Sequence, residues 1–297
     1  MKMTKPVNLE SKIAEIIDAL DHAKPVCLYG PTGTGKTIAG WEAANIVAKK
    51  MGNPVVYIQM YPEITKSVLI GGETIKNGNI VVDTGPIIKM GGTETENGSM
   101  FFIDEITHAT EPAVLGLNSL IEAPAQTVVG AKIHRMHDKT RFLFAGNTPD
   151  HAGNIELPAS FANRLYIIDF PTPEEDDMRA IIKGTVGVDV KDPFFGLQDF
   201  VIEMACKTRA NYFAISPRNI INCIELLKAK AGSGYKDHKC MAHLKPATKK
   251  SMKDLDMDPM KVRSVILATM LGNLVTKNDG PDKVKAMLWW EEERDDS

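Results

Sequence analysis

The apolar positions along the chain change their period, and the changes divide it into elements. Over residues 8–23, Ile13, Ile16, Ile17 and Leu20 recur at i, i+3, i+4 and i+7, the stripe of an amphipathic helix. The short apolar run PVCLY (25–29) stops at Gly30 and predicts a buried strand. A helix is expected from Gly35 to Lys50, closed by Gly52-Asn53-Pro54, because glycine accepts the left-handed turn that ends a helix and proline cannot continue one. Four more apolar runs read as strands: VVYIQM (55–60), MFFIDE (100–105), RFLFAGN (141–147) and RLYIIDF (164–170). Helical patterns lie between several of them, so the expected fold is α/β with a parallel sheet. Two further stretches read as hairpins, ETIKNGNIVV (73–82) turning at Asn77-Gly78 and AQTVVGAKIHRM (125–136) turning near Gly130.

Beyond Phe170 only helical patterns remain. PTPEEDD opens the first of them, with Thr172 expected as N-cap, Pro173 at the first helical position and the acids in the first turn, where they meet the positive end of the helix dipole. The domain boundary is therefore placed near Pro171–Pro173, giving an α/β domain over 1–171 and a small α-helical domain over 172–297. With 43% hydrophobic residues the chain has ample material for a core, and its length suggests one large or two modest domains. Its net charge of −3 disfavours a globally basic nucleic-acid binder. The four cysteines are scattered with no C-x-x-C, so a disulfide framework is not expected and a reducing compartment fits. The amino terminus has no apolar leader and no apolar run approaches 18 residues, so the expectation is a soluble cytoplasmic protein with no membrane contact.

The chemistry begins at GPTGTGKT (30–37), which fits G-x-x-x-x-G-K-[ST]. Gly30, Gly33 and Gly35 let the backbone curl so that the N–H groups of the loop point inward at phosphate oxygens, with Pro31, Thr32 and Thr34 completing the loop, and the helix that follows adds its positive end. Lys36 supplies a charge for the β- and γ-phosphates, and the Thr37 hydroxyl can ligate Mg²⁺. MFFIDEI places Asp104 at the carboxyl edge of a buried strand, where open α/β sheets bind their ligands. Asp104 can hold Mg²⁺ through water, and Glu105 can deprotonate a water aimed at the γ-phosphate. Asn147 ends the next strand, and its amide could touch both the γ-phosphate and that water, although Asn-Thr-Pro is equally an ordinary loop start. Arg164, in ELPASFANRLYI, has no acidic neighbour in sequence to pair with.

This order, a phosphate loop, an Asp-Glu strand end, an Asn-ended strand, an arginine and then helices, resembles the AAA+ ATPases. SVLIGGETIKNGNIVVDTGPI (67–87), TVVGAKIHRMHDKTRFLFAGNTP, GNIELPASFANRL and AISPRNIINCIELL (214–227) narrow the resemblance to the MoxR family. It covers roughly residues 8–230 and implies a P-loop AAA+ sheet domain with inserted β-hairpins followed by a helical lid. It implies ATP and Mg²⁺ as cofactors, and Glu105, Asn147, Arg164 and Arg218 as catalytic groups. Arg164 matches the arginine finger, which reaches a neighbouring subunit's γ-phosphate and in other P-loop proteins is worth about 10³–10⁵ in rate. Arg218 matches the sensor arginine of the lid. A homo-oligomer, a hexameric ring, is implied, with a protein client to remodel or activate and a von Willebrand factor A domain protein as partner.

The alternative function is a nucleic-acid motor or loader with the same engine, since Lys132, His134 and Arg135 make the second hairpin basic. Three weaker signals stand apart. His238, Cys240 and His243 crowd together but offer no fourth zinc ligand. Eight lysines between 228 and 253 read as a solvated loop, and the Trp289-Trp290 pair precedes an acidic tail.

Overall fold

The computed structural model describes residues 9–149, 155–188, 190–211, 215–235 and 244–271. They fall into two compact units, Leu9–Pro171 and a second beginning at Thr172. In the first unit, helix α1 (Glu10–Asp21) leads into β1 (Val26–Gly30), and helix α2 (Lys36–Met51) into β2 (Val55–Gln59). The hairpin β3 (Gly71–Lys76) and β4 (Asn79–Thr84) follows, then β5 (Met100–Asp104). A second hairpin, β6 (Gln126–Val129) and β7 (Lys132–Arg135), precedes β8 (Arg141–Asn147) and β9 (Tyr166–Asp169). The five apolar runs form one sheet in the order β2-β5-β8-β1-β9. All four pairings are parallel.

Both faces of this sheet are covered, which is why its strands read as continuous apolar runs rather than alternating ones. Successive side chains point to opposite faces. Val26, Leu28, Met100, Phe102, Leu143 and Ala145 pack against Ile16 and Leu20 of α1 and the small side chains of α2. Ala39, Ala43 and Ala44 let α2 lie close to the sheet, and Gly40 closer still, since a Cβ there would meet Phe102 Cζ at 2.8 Å. The intervening residues, Cys27, Phe101, Ile103, Phe142 and Phe144, build the core on the other face. There Phe101 stacks on Phe142 at 5.2 Å and Phe144 meets Phe161 edge-on at 5.2 Å. Arranged this way, aromatic rings contribute about 0.5–1.5 kcal/mol per pair beyond their burial.

The hairpins lie outside the five-stranded sheet as separate antiparallel ribbons. Asn77 and Gly78 both adopt positive φ, 52° and 77°, as the two-residue turn between β3 and β4 requires. Ile75 faces Ile80 across the first ribbon, and Val128 faces Ile133 across the second. All four are more than half exposed. The ribbons touch where a Cβ on Gly130 would meet Val82 at 2.5 Å.

The second unit contains helices Glu175–Val186, Phe195–Asn211, Pro217–Lys228, Pro246–Asp254 and Pro259–Leu271. Its core gathers Ile182, Leu197, Val201, Ile220, Ile224, Leu227, Met252 and Val262. The expected start of its first helix needs correction: the N-cap is Glu174, not Thr172, and Pro173 precedes the helix instead of opening it. The φ that proline fixes suits the first helical position and an extended lead equally, and here Pro173 belongs to the lead: Glu174 after it is still extended, at φ −70° and ψ 172°. The acids do occupy the first turn, as Glu175, Asp176 and Asp177. Ser216 caps Pro217–Lys228 by accepting from the Asn219 N–H at 3.3 Å, with Pro217 at the first helical position. The His238-Cys240-His243 group and Trp289-Trp290 lie outside the described residues.

Gly196, inside Phe195–Asn211, is held close to the chain at Ala247, where an added Cβ would stand 2.3 Å from a carbonyl oxygen. Glycine to alanine in a helix normally stabilises by about 1 kcal/mol. Here the backbone collision reverses the sign, and Gly196→Ala is expected to cost about 1–3 kcal/mol. Thermal denaturation of the variant measures it.

Candidate functional site

Three adjacent strands end at the same edge of the sheet. Gly30 of β1 pairs with Asn147 of β8, and Asp104 closes β5 on the other side of β8. The loop 30–37 leaves this edge and turns directly into α2. Gly33 and Gly35 take positive φ, 81° and 97°, which curls the loop around its own N–H groups. Gly30 is glycine for a different reason: a Cβ would stand 2.1 Å from the carbonyl oxygen of Phe170, in the segment after β9. The Thr34 hydroxyl donates to the Pro31 carbonyl at 3.0 Å and braces the curl.

The Lys36 side chain folds back into the loop, and its Nζ donates to the carbonyls of Gly30 at 2.8 Å and Pro31 at 2.7 Å. It is buried, so this ammonium is a preplaced positive charge inside the cradle. Beneath it the Cys27 thiol is pushed up to about 12 by complete burial, against the opposing pull of Lys36, and is therefore chemically inert.

Asp104 is buried and receives three hydrogen bonds. The Glu105 N–H donates to Oδ1 at 2.9 Å. The Thr37 hydroxyl donates to Oδ2 at 3.0 Å and the Tyr57 hydroxyl to the same oxygen at 3.1 Å. Tyr57 is pushed up to about 12, chiefly by burial and then by the negative charge and hydrogen bond of Asp104, so it remains a donor. A hydroxyl and a carboxylate in direct contact at the mouth of a phosphate loop are a hard-oxygen pair. Mg²⁺ takes such pairs, bound by one or two carboxylates and completed by phosphate oxygens and water. Thr37 and Asp104 are the residues that would hold it, and bound there it would neutralise charge on the phosphates.

Glu105 does not continue the strand. It sits at φ 57°, ψ 38°, the left-handed region, which for a non-glycine residue costs about 1–3 kcal/mol and persists only where the surroundings impose it. The turn aims its carboxylate at Asn147, whose Nδ2 donates to Oε2 at 2.5 Å. His108 stands 3.7 Å from the same oxygen. Asn147 is itself fixed, its N–H donating to the Thr107 hydroxyl at 3.0 Å. The Asn147 amide is buried and bonded to Glu105. Thr107, His108 and Tyr57 carried no signal in the sequence: the fold brings Tyr57 to Asp104 and Thr107 to Asn147, and the turn after β5 brings His108 to Glu105.

Lys36, Thr37, Asp104, Glu105 and Asn147 therefore share one edge, and Arg164 does not. It precedes β9, which starts beside Val26 at the amino end of β1. The four steps from Val26 to Gly30 span about 13 Å, longer than an arginine side chain. Nor is Arg164 without an acid: its guanidinium bonds Glu122 and the Ser160 carbonyl. Glu122 comes from a segment 42 residues away, invisible in local sequence. Arg218 belongs to the second unit, exposed in the first turn of Pro217–Lys228.

Residues 25–165 match the family described as AAA domain (dynein-related subfamily). The chain is 25% identical over 225 residues to YojN of Bacillus subtilis (strain 168), an uncharacterised protein, covering 73% of this chain and 71% of that one. It is 25% identical over 175 residues to NorQ of Paracoccus denitrificans (strain Pd 1222), covering 58% and 62%. It is 25% identical over 177 residues to Midasin of Giardia intestinalis, covering 58% of this chain and 4% of that much longer one. The matches thus span less than two thirds of NorQ and a small part of Midasin.

If the cradle is a phosphate site, Lys36→Met separates binding from folding. The ligand-free variant should melt within about 1 kcal/mol of the parent, because losing two carbonyl bonds is offset by removing a buried charge. The stabilisation by nucleotide, about 2.7 kcal/mol at a hundredfold excess over Kd, should vanish. Thermal shift with and without ADP reads both.

Proposed function

We propose that this chain, an AAA+ protein of the dynein-related, MoxR kind, is an ATP hydrolase working as a ring of copies that remodels or activates a protein client. One observation carries the reading. Lys36, Thr37, Asp104, Glu105 and Asn147 lie together at the carboxyl edge of the sheet, while Arg164 lies at the amino edge of the same subunit.

In the proposed reaction the loop N–H groups and Lys36 bind the β- and γ-phosphates. Thr37 and Asp104 hold Mg²⁺. Glu105 takes a proton from water as the water oxygen attacks the γ-phosphorus, and the bond to the β-phosphate oxygen breaks to leave ADP and phosphate. Asn147, already bonded to Glu105, keeps that carboxylate and the water in line. The remaining negative charge is met by Arg164 of a neighbouring copy, since no copy can bring its own across the sheet. Its bond to Glu122 is an exposed ion pair worth about 0–1 kcal/mol, weak enough for phosphate oxygens to displace. A contact of this head-to-tail kind closes into a ring when its rotation permits, and a hexamer is the proposed size. Arg218 is assigned to the same phosphate from the second unit, acting as the lid, which would couple hydrolysis to domain motion.

The two ribbons are the proposed client-binding elements. Their exposed pairs are apolar, Ile75 with Ile80 and Val128 with Ile133, which favours a protein client over a phosphate backbone. A von Willebrand factor A domain protein is the proposed partner. Against a nucleic-acid motor, ATP turnover should not rise with DNA, and any DNA binding should be weak. Stimulation by DNA with an affinity that falls steeply with salt would favour the motor.

Two measurements test the engine. Glu105→Gln should leave the fold and nucleotide binding intact while lowering turnover by at least about 10²-fold. Arg164→Ala and Lys36→Ala should each be inactive alone, and mixing them should restore part of the activity, because some interfaces then pair an intact loop with an intact arginine. No recovery on mixing would count against a shared site.

A further inference from the structure

Tyr57 has no part in the phosphate-loop signature, yet its hydroxyl reaches the same oxygen of Asp104 as the Thr37 hydroxyl does. The sheet explains how. Tyr57 pairs with Phe102 across β2 and β5, and Asp104 lies two residues further along β5 on the same face. A diagonal neighbour at that spacing is out of reach for a short side chain but within reach of a tyrosine. The ring cannot swing freely, because Trp41 of α2 stands edge-on to it at 5.7 Å and Phe102 at 5.5 Å. Trp41 is one helical turn beyond Thr37, so one helix supplies both the second hydroxyl and the wall behind the ring. A phenylalanine would make the same ring contacts. Only the hydroxyl requires tyrosine.

We propose that Tyr57 is a positioning residue for the metal-holding carboxylate, fixing Asp104 in the orientation in which one oxygen caps the Glu105 N–H and the other faces Thr37. With three donors on two oxygens, Asp104 cannot rotate without breaking at least one bond. Removing the Tyr57 donor leaves Oδ2 with Thr37 alone, and the Thr37 hydroxyl would itself have to turn to a bound metal. Residues that orient a metal ligand in this manner typically change metal affinity or activity about 10–100-fold when removed.

The inference rests on the assignment of Thr37 and Asp104 to Mg²⁺, and the test separates the two. The affinity of a fluorescent ADP analogue is measured in EDTA and in excess MgCl₂, for the parent and for Tyr57→Phe; no turnover is involved. In the parent, Mg²⁺ should tighten binding. In Tyr57→Phe the affinity in EDTA should stay within about twofold, as the phosphate loop is untouched, while the gain from Mg²⁺ falls about tenfold. An equal gain in both proteins overturns the role of Tyr57 and leaves the Mg²⁺ assignment standing. No gain in the parent overturns the assignment and this inference with it. The substitution keeps the ring and removes one partly exposed hydroxyl, so an unchanged melting temperature is expected and confirms that the comparison is between folded proteins.

Discussion

The parallel register of β5, β8 and β1 is the constraint on which the site depends. Because Gly30 is level with Asn147, and Asp104 ends the strand on the far side of β8, three loops leave the sheet within one small region. A slip of one residue in any strand would turn its side chains to the opposite face. The register is held by the cores: Phe101, Phe142 and Phe144 must face one layer while Phe102, Leu143 and Ala145 face the other. Packing far from the chemistry therefore decides that a lysine, a threonine, an aspartate, a glutamate and an asparagine from separate segments can act on one ligand.

Around that edge the polar groups are tied together before any ligand arrives. Lys36 is bonded to loop carbonyls, Asp104 to Thr37, Tyr57 and the Glu105 N–H, and Glu105 to Asn147. Each bond satisfies a buried group that would otherwise be costly to hide from water. Each also places a group near where it would be needed, so less reorganisation remains for binding. The left-handed conformation of Glu105 belongs to the same economy, a local strain that turns a carboxylate out of the strand direction and toward β8.

Arg164 stands apart from this network for a topological reason. A parallel strand has its amino end at one edge of the sheet and its carboxyl end at the other, and Arg164 precedes β9 where the phosphate loop follows β1. An arginine so placed cannot reach the carboxyl edge of its own sheet, which is why the proposed reaction takes it from another copy. The ribbons are similarly outward in character, with isoleucine and valine pairs that no neighbouring element of the first unit covers fully.

Much of this was legible in the order of residues. Continuous apolar runs marked the five parallel strands, Asn77-Gly78 marked the first ribbon, and the phosphate loop declared its own geometry through glycine positions. These are local properties, set by backbone sterics and by the periodicity of each element, and one segment suffices to read them. Other features came only with the tertiary structure. The strand order, the three-donor grip on Asp104 through Tyr57, the bond between Asn147 and Glu105, and the pairing of Arg164 with Glu122 all join segments tens of residues apart. The start of the first helix beyond Phe170 was misread for a related reason, since several adjacent residues could each precede a helix and proline fits both its first position and the extended lead. Short-range sterics fix what each segment becomes; which side chains meet is settled by the joint packing of both faces of the sheet, and no single segment contains that information.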